Sequence, residues 1–256
     1  MIHCAENRNI LLTVSYDGTN FHGWQKQTKQ GVETFRSVQG EIEKALHKIH
    51  KHHVELFGSG RTDSGVHAIG QAANFFTDIK NIPVNNFIPA LNSSLPKDIR
   101  ITDVIEVSND FNARFSAKSR TYRYFINCKK YPPAHELTYS WNIRYQPDIK
   151  KLNRMANYLK GELDCTTFSA AGDMSKSKSR YLHKAVFFFE NELLVFEIQA
   201  NAFLWKMVRS ITGTILDLEK KNASSNEFKK ALDSRNRRMA GVTAPANGLF
   251  LWKIEF

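Results

Sequence analysis

The apolar positions of this chain fall into short runs of changing period. In NILLTVSY, residues 9–16, Ile10, Leu12 and Val14 recur at every second position, the period of a half-buried strand. IRITDVIEV and the tail LFLWKIEF predict two more strands. FNARFSAKSRTYRYFINC starts irregularly and ends in a strand where Tyr122, Tyr124 and Ile126 alternate with Arg123 and Phe125. The period lengthens after Ser37, a capping residue for a helix starting at Val38 with Val38, Ile42, Ala45, Leu46 and Ile49 as its apolar stripe. Phe87–Leu91 predicts a short helix, and Leu152, Met155, Ala156 and Leu159 predict another, closed by Gly161. FLWKMVRSITGTILDL predicts a longer helix with Met207, Val208, Ile211, Ile215 and Leu218 inward, and SSNE at 224–227 has the form of a capping box opening a helix through Leu232. KAVFFFENELLVFEIQA predicts a hairpin turning at Glu190-Asn191-Glu192, and the polar, basic AGDMSKSKSRYLHK before it reads as a loop. VELFGSGRTDSGVHAIGQAANFF reads as strand, glycine-rich loop, strand.

Strands and helices mix without regular alternation, which predicts an α+β fold on a mainly antiparallel sheet rather than a doubly wound parallel one. With 256 residues there is core enough for one large domain or two smaller ones. No Pro-, Gly- or Ser-rich linker separates them; the polar stretch at about 108–120 is the expected division, giving lobes 1–110 and 111–256.

Composition narrows the partner. Lys and Arg total 36 against 25 Asp and Glu, a formal net charge of +11. Such an excess suits a polyanion such as RNA or DNA, or equally a basic surface kept for solubility. The apolar runs are too short to cross a bilayer, and MIHCAENRNI lacks a signal-peptide core. The cysteines Cys4, Cys128 and Cys165 lie far apart with no CxxC pair, so neither a disulfide framework nor a cysteine zinc site is expected, and a cytoplasmic location is.

The densest chemistry lies in GSGRTDSGVHAIGQ, residues 58–71, where Asp63 stands among Arg61, His67 and several small residues. TDSG is a good turn, with Asp bonding local backbone and Gly65 free to take positive φ. An arginine, three flanking glycines, a histidine and a glutamine exceed what a turn requires. As a metal site the segment is poor, and HKIHKHH at 47–53 lies among lysines that repel a cation. GxSxG and GxxxxGK[ST] are both absent, so neither a serine hydrolase elbow nor a phosphate loop is present. A carboxylate can itself be a nucleophile if kept ionised, and Arg61 or Arg209 could do that. Tyr122 and Tyr124, amid Arg120 and Arg123, are either a stacking platform for an extruded base or core residues of a strand with solvated arginines. FHGWQKQ and RFSAKSR likewise suit phosphates and bases, or a basic surface.

GSGRTDSGVHAIGQ resembles the signature of the tRNA pseudouridine synthase A family, close to GAGRTDAGVHAxGQ. YDGTNFHGWQKQ, SVQGEIEKAL, NSSLPKDIRI, FNARFSAKSRTYRY, NAFLWKMVRSITG and APANGLFL match in the family's order, from about residue 12 to residue 252. The resemblance implies two pseudo-repeated lobes sharing a central, mainly antiparallel sheet with helices on its faces and a cleft between lobes. It implies a homodimer that converts uridine to pseudouridine at positions 38, 39 and 40 of the tRNA anticodon stem-loop, with no cofactor, metal or membrane. Asp63 inherits the nucleophile's role, Tyr122 packing on the target base, Arg61 base extrusion or backbone contact, Arg209 pairing with the catalytic carboxylate, and Leu249 the lining of the uracil pocket. Ser64 replaces the commoner alanine, and SKSKSRYLHK departs from the family's Thr-x-Arg pattern, so no tRNA contact is carried over to Arg180.

Overall fold

A computed structural model of the chain describes residues 7–29 and 32–256; Cys4 and the leading MIHCAE lie outside the described residues. The fold is a mixed α+β one with mostly antiparallel strand pairing. The chain divides into two compact units, Met1–Lys118 with Leu251–Phe256, and Ser119–Phe250.

In the first unit the Arg8–Tyr16 strand lies between His67–Thr77 and Ile99–Val107, antiparallel to both. Its expected alternation is obscured because Ile10, Leu11, Leu12 and Val14 are all buried, Leu11 on the opposite face against Ala72 and Ala113. The last strand, Leu249–Glu255, follows His67–Thr77 in the sheet order. The helix Val38–His50 begins where Ser37 predicts, with the Ser37 hydroxyl accepting the Gly40 N–H. Two buried asparagines fix the irregular stretch after residue 107. The Asn9 amide donates to the Ser108 and Phe111 carbonyls, each at 2.9 Å, and the Ala113 N–H donates to Asn74 Oδ1 at 2.9 Å. A polar core pair of this kind specifies one loop path, since each amide atom left unmatched would carry a desolvation penalty.

In the second unit Ser119–Asn127, Leu193–Ala200, Ser179–Glu190 and Gly161–Asp164 form a continuous antiparallel run. The helix Met207–Lys220 and the shorter Ile149–Ala156 and Ser225–Asp233 pack together beside it. Phe187 and Phe196 stack at 4.4 Å between ring centres across the hairpin. Asn191 takes φ 53° in the turn, where expected.

Four local expectations need correction. FLWK is not helical: Lys206 adopts φ 59° and the helix starts at Met207. The helix of Leu152 and Met155 ends at Ala156, and Leu159 is buried in the turn that follows. Gly161, at φ 85°, opens a strand instead of closing the helix. Ser224 precedes the last helix, but its side chain makes no capping bond, and Glu227 pairs with Lys230 at 2.8 Å, so neither half of the expected box forms. SRYLHK belongs to the Ser179–Glu190 strand. It reads as a loop because only Leu182 of its residues is buried, while ladder bonds to Gly161–Asp164 supply the order.

Candidate active site

The Asp63 loop is held from both sides within the first unit. The Val66 N–H donates to the Asp63 carbonyl at 3.2 Å, closing a turn in which Gly65 takes φ 76°. Asp63 itself is half-buried and Arg61 is exposed. On one flank Gln71, fully buried, donates to the Gly60 carbonyl at 2.9 Å and accepts the Ser59 hydroxyl at 2.6 Å. On the other flank runs YDGTNFHGW. The Trp24 N–H donates to the Thr62 carbonyl at 3.2 Å, and the Gly65 N–H and Ser64 hydroxyl both donate to the Phe21 carbonyl. The Tyr16 and Thr62 hydroxyls share a buried hydrogen bond of 2.8 Å.

Two glycines of that flank explain their own presence. A Cβ on Gly18 would stand 2.0 Å from the Val66 carbonyl oxygen, and one on Gly23, which has φ 93°, would stand 2.5 Å from that of Thr62. The Gly18 N–H donates to His67 Nδ1 at 2.9 Å, so that nitrogen presents its lone pair. Asp17 Oδ1 stands 3.1 Å from the same nitrogen. Phe21 and Trp24 are both 2% exposed and lie beneath the loop; the aromatics of FHGWQKQ are its support and not a platform for bases.

In the second unit, Tyr122 keeps 9% of its surface and meets Phe203 edge-on at 5.1 Å between ring centres. Tyr124 is fully buried and donates to the Pro245 carbonyl at 2.7 Å. Burial pushes its phenol above the ordinary range against the pull of the Arg209 guanidinium, which keeps it a donor. Arg209 is clamped to Ala244 twice. Its Nε donates to the Ala244 carbonyl at 2.8 Å, and its carbonyl accepts the Ala244 N–H at 3.1 Å. The strap carrying Ala244 comes this close because the facing helix residue is Gly213, whose Cβ would stand 1.9 Å from the Val242 carbonyl oxygen. Leu249 is buried just beyond Gly248, which packs on the Tyr124 ring. Arg123 points elsewhere and pairs with Glu197 at 2.7 Å and Glu190 at 3.2 Å. Both tyrosines share one face of the strand, Tyr124 sealed and Tyr122 keeping part of its surface, while Arg123 serves an ion-pair cluster.

The atypical segment after Ala170 is ordered by Asp173. Its carboxylate accepts the Trp205 N–H at 2.6 Å and the Ser175 N–H at 2.9 Å and pairs with Lys178. Burial alone would raise this carboxyl, but Lys178 and the two amides outweigh it and hold it well below the usual carboxylate range. A depressed carboxyl adds stability above the ordinary aspartate range, and that stability is lost as pH falls through and below it. Asp173→Asn is expected to lower the melting temperature at pH 7 by on the order of 5 °C. The gap from wild type should narrow below about pH 4. Thermal melts of both proteins across pH 3–7 check this, and a gap constant across that range would refute it.

Of the residues singled out in the sequence, Arg61 and Asp63 share one loop of the first unit, and Tyr122, Arg209 and Leu249 lie in the second. His50 of HKIHKHH is a core residue, bonded to the Leu46 carbonyl and the Thr77 hydroxyl and stacked on Phe87. Cys128 and Cys165 are free thiols that burial pushes up to about 11 and about 12, out of the nucleophilic range. Sequence reasoning did not single out Tyr16 or Ala244, and it did not separate Tyr124 from Tyr122. Their roles rest on long-range hydrogen bonds, to Thr62, Arg209 and Pro245 respectively, which no local pattern encodes.

Known proteins align with this chain over almost its whole length. A family model described as tRNA pseudouridine synthase matches residues 12–116 and 155–256. A tRNA pseudouridine synthase A of Treponema denticola is 67% identical over 97% of this chain and 93% of its own length. One from Treponema pallidum is 58% identical over 91% and 84%, and one from Caldicellulosiruptor saccharolyticus is 45% identical over 97% and 100%.

Proposed function

This chain belongs to the tRNA pseudouridine synthase family and is an isomerase, and from that premise we propose that it acts on uridines 38, 39 and 40 of the tRNA anticodon stem-loop. We propose Asp63 as the nucleophile. The observation that carries this reading is the Asp63 loop itself: backbone and buried side chains fasten Gly60, Thr62, Ser64 and Gly65, leaving a half-buried carboxylate on a rigid turn.

The reaction breaks the N1–C1′ bond of uridine, turns the uracil and rejoins it through C5. It needs no net redox change and no energy input. The enzyme has to provide a carboxylate to attack at C1′ or C6, a face for the detached uracil, and exclusion of water. Preorganisation suits such a carboxylate, because fixing the attacking group in advance removes entropy from the barrier. Tyr122, steadied edge-on by Phe203, takes the base; Leu249 lines the uracil pocket; Arg209, clamped to Ala244, is the partner of the catalytic carboxylate. Arg61, exposed on the loop, meets the RNA backbone or fills the place of the extruded base. Extruding a stacked uridine costs a few kcal/mol, which phosphate contacts from a chain of net charge +11 offset. The protein works in the cytoplasm as a homodimer. Among the described residues no helix is long and apolar enough to cross a membrane.

The test is direct. An unmodified tRNA transcript is incubated with the purified protein and its pseudouridines are mapped by carbodiimide primer extension. Stops at 38–40 are expected, and pseudouridine confined to another arm would refute the assignment of target.

A further inference from the structure

The helix Met207–Lys220 starts without a side-chain cap and without an acidic residue in its first turn, and its N-cap is a lysine, Lys206, in the left-handed region at φ 59°. A helix N-terminus carries partial positive charge and ordinarily attracts a carboxylate or hydroxyl cap. Here Lys206 adds a full charge instead. A cavity of about 180 Å³ opens at this end, lined by Lys206, Ser210, Arg237, Thr243, Phe168 and Ala170 among others. Among the described residues no carboxylate lines it. Ser210 is 1% exposed, and its hydroxyl has no hydrogen-bond partner among the described residues.

We propose that this cavity is a subsite for a phosphate group of the RNA backbone, an inference that rests on the tRNA reading above. A buried hydroxyl without a partner is costly unless a ligand or water completes it. Two cations face the same space. Among the described residues neither Lys206 nor Arg237 forms an ion pair, whereas Lys178 and Arg123 of the same unit do. Lys206 holds its ammonium 4.8 Å from the centre of the Trp205 ring, and Arg237 donates to the Thr243 hydroxyl at 2.9 Å, which leaves most of its guanidinium fork for another acceptor. The cavity is smaller than a pocket for a whole nucleotide-sized ligand, and fits a single tetrahedral anion better. Its wall also connects to the chemistry: Thr243 precedes Ala244, the residue clamped to Arg209. A phosphate seated here would dock RNA against the same strap that positions that arginine.

The experiment measures affinity for an unmodified tRNA transcript across a salt series, without reference to product. Lys206→Met and Arg237→Met are each expected to weaken binding and to flatten the slope of log K against log salt by about one, the loss of one phosphate contact. Arg237→Lys should restore the wild-type slope, and Ser210→Ala should weaken binding several-fold with the slope unchanged. Circular dichroism melts establish that each variant is folded. If both charge-removing variants keep the wild-type slope and affinity, the subsite is wrong. If inorganic phosphate protects wild type but not the variants against thermal unfolding while their RNA slopes stay normal, the cavity binds a free anion only, and the RNA assignment is overturned. Because these readouts ignore where pseudouridine forms, an error in the 38–40 assignment would leave them intact.

Discussion

Replacing Asp63 by Asn is expected to abolish pseudouridine formation, with a loss of about 10⁴-fold or more in the single-turnover rate, while tRNA affinity stays within a few-fold of wild type. The amide occupies nearly the same space on the same turn, so the loop keeps its path while losing the carboxylate that attacks. The bonds that fix its neighbours come from Gln71, Tyr16, Trp24 and the Phe21 carbonyl, and none of these requires a charge at position 63. Binding should survive because RNA affinity is dominated by phosphate contacts spread over a basic surface. A variant that turned over normally would disprove the nucleophile assignment. One that lost binding in parallel with activity would make Asp63 a docking residue.

The second large effect is expected away from any reacting atom. Gly23→Ala places a methyl 2.5 Å from the Thr62 carbonyl and 3.3 Å from the Asp63 carbonyl carbon, on backbone already at φ 93°. Neither obstacle is a flexible side-chain end, so the loop or the YDGTNFHGW segment must move. Displacing a catalytic group by about 1 Å can reduce rate about 10²-fold. The left-handed backbone and the overlap together should lower stability by about 1–3 kcal/mol. The prediction is a fall in kcat with tRNA Kd little changed, read by steady-state kinetics beside filter binding, and accompanied by a lower urea midpoint. A Gly23→Ala enzyme with wild-type kcat would show that the loop's position does not depend on this contact.

How much of this the sequence discloses depends on the range of the interaction. Elements set by local pattern are legible: the Ser37 cap, the strands at 9–16 and 99–107, and the hairpin turning at Asn191. Elements set by partners are not. SRYLHK has too few buried residues to look like a strand and becomes one through its ladder to Gly161–Asp164. FLWK carries a helical stripe, yet Lys206 turns left-handed and the helix waits until Met207. For the candidate site, the identities of Asp63 and its neighbours stand out in the sequence as excess polar hardware around a turn, but their supports do not. Phe21 and Trp24 look like surface aromatics among basic residues, and their burial follows from a carbonyl and an amide that must reach the loop. Tyr124 reads as one of two equivalent tyrosines until its bond to Pro245 separates it from Tyr122.

The proposed use of the Asp63 carboxylate to make pseudouridine at 38–40 of tRNA can be tested in cells. The most direct measurement maps pseudouridines in total tRNA from cells lacking this protein and from the same cells supplied with either wild type or Asp63→Asn at equal levels. Modification at those positions is expected to disappear with the protein and to return only with wild type. Its return with Asp63→Asn would rule out Asp63 as the nucleophile, and its persistence without the protein would rule out 38–40 as the target.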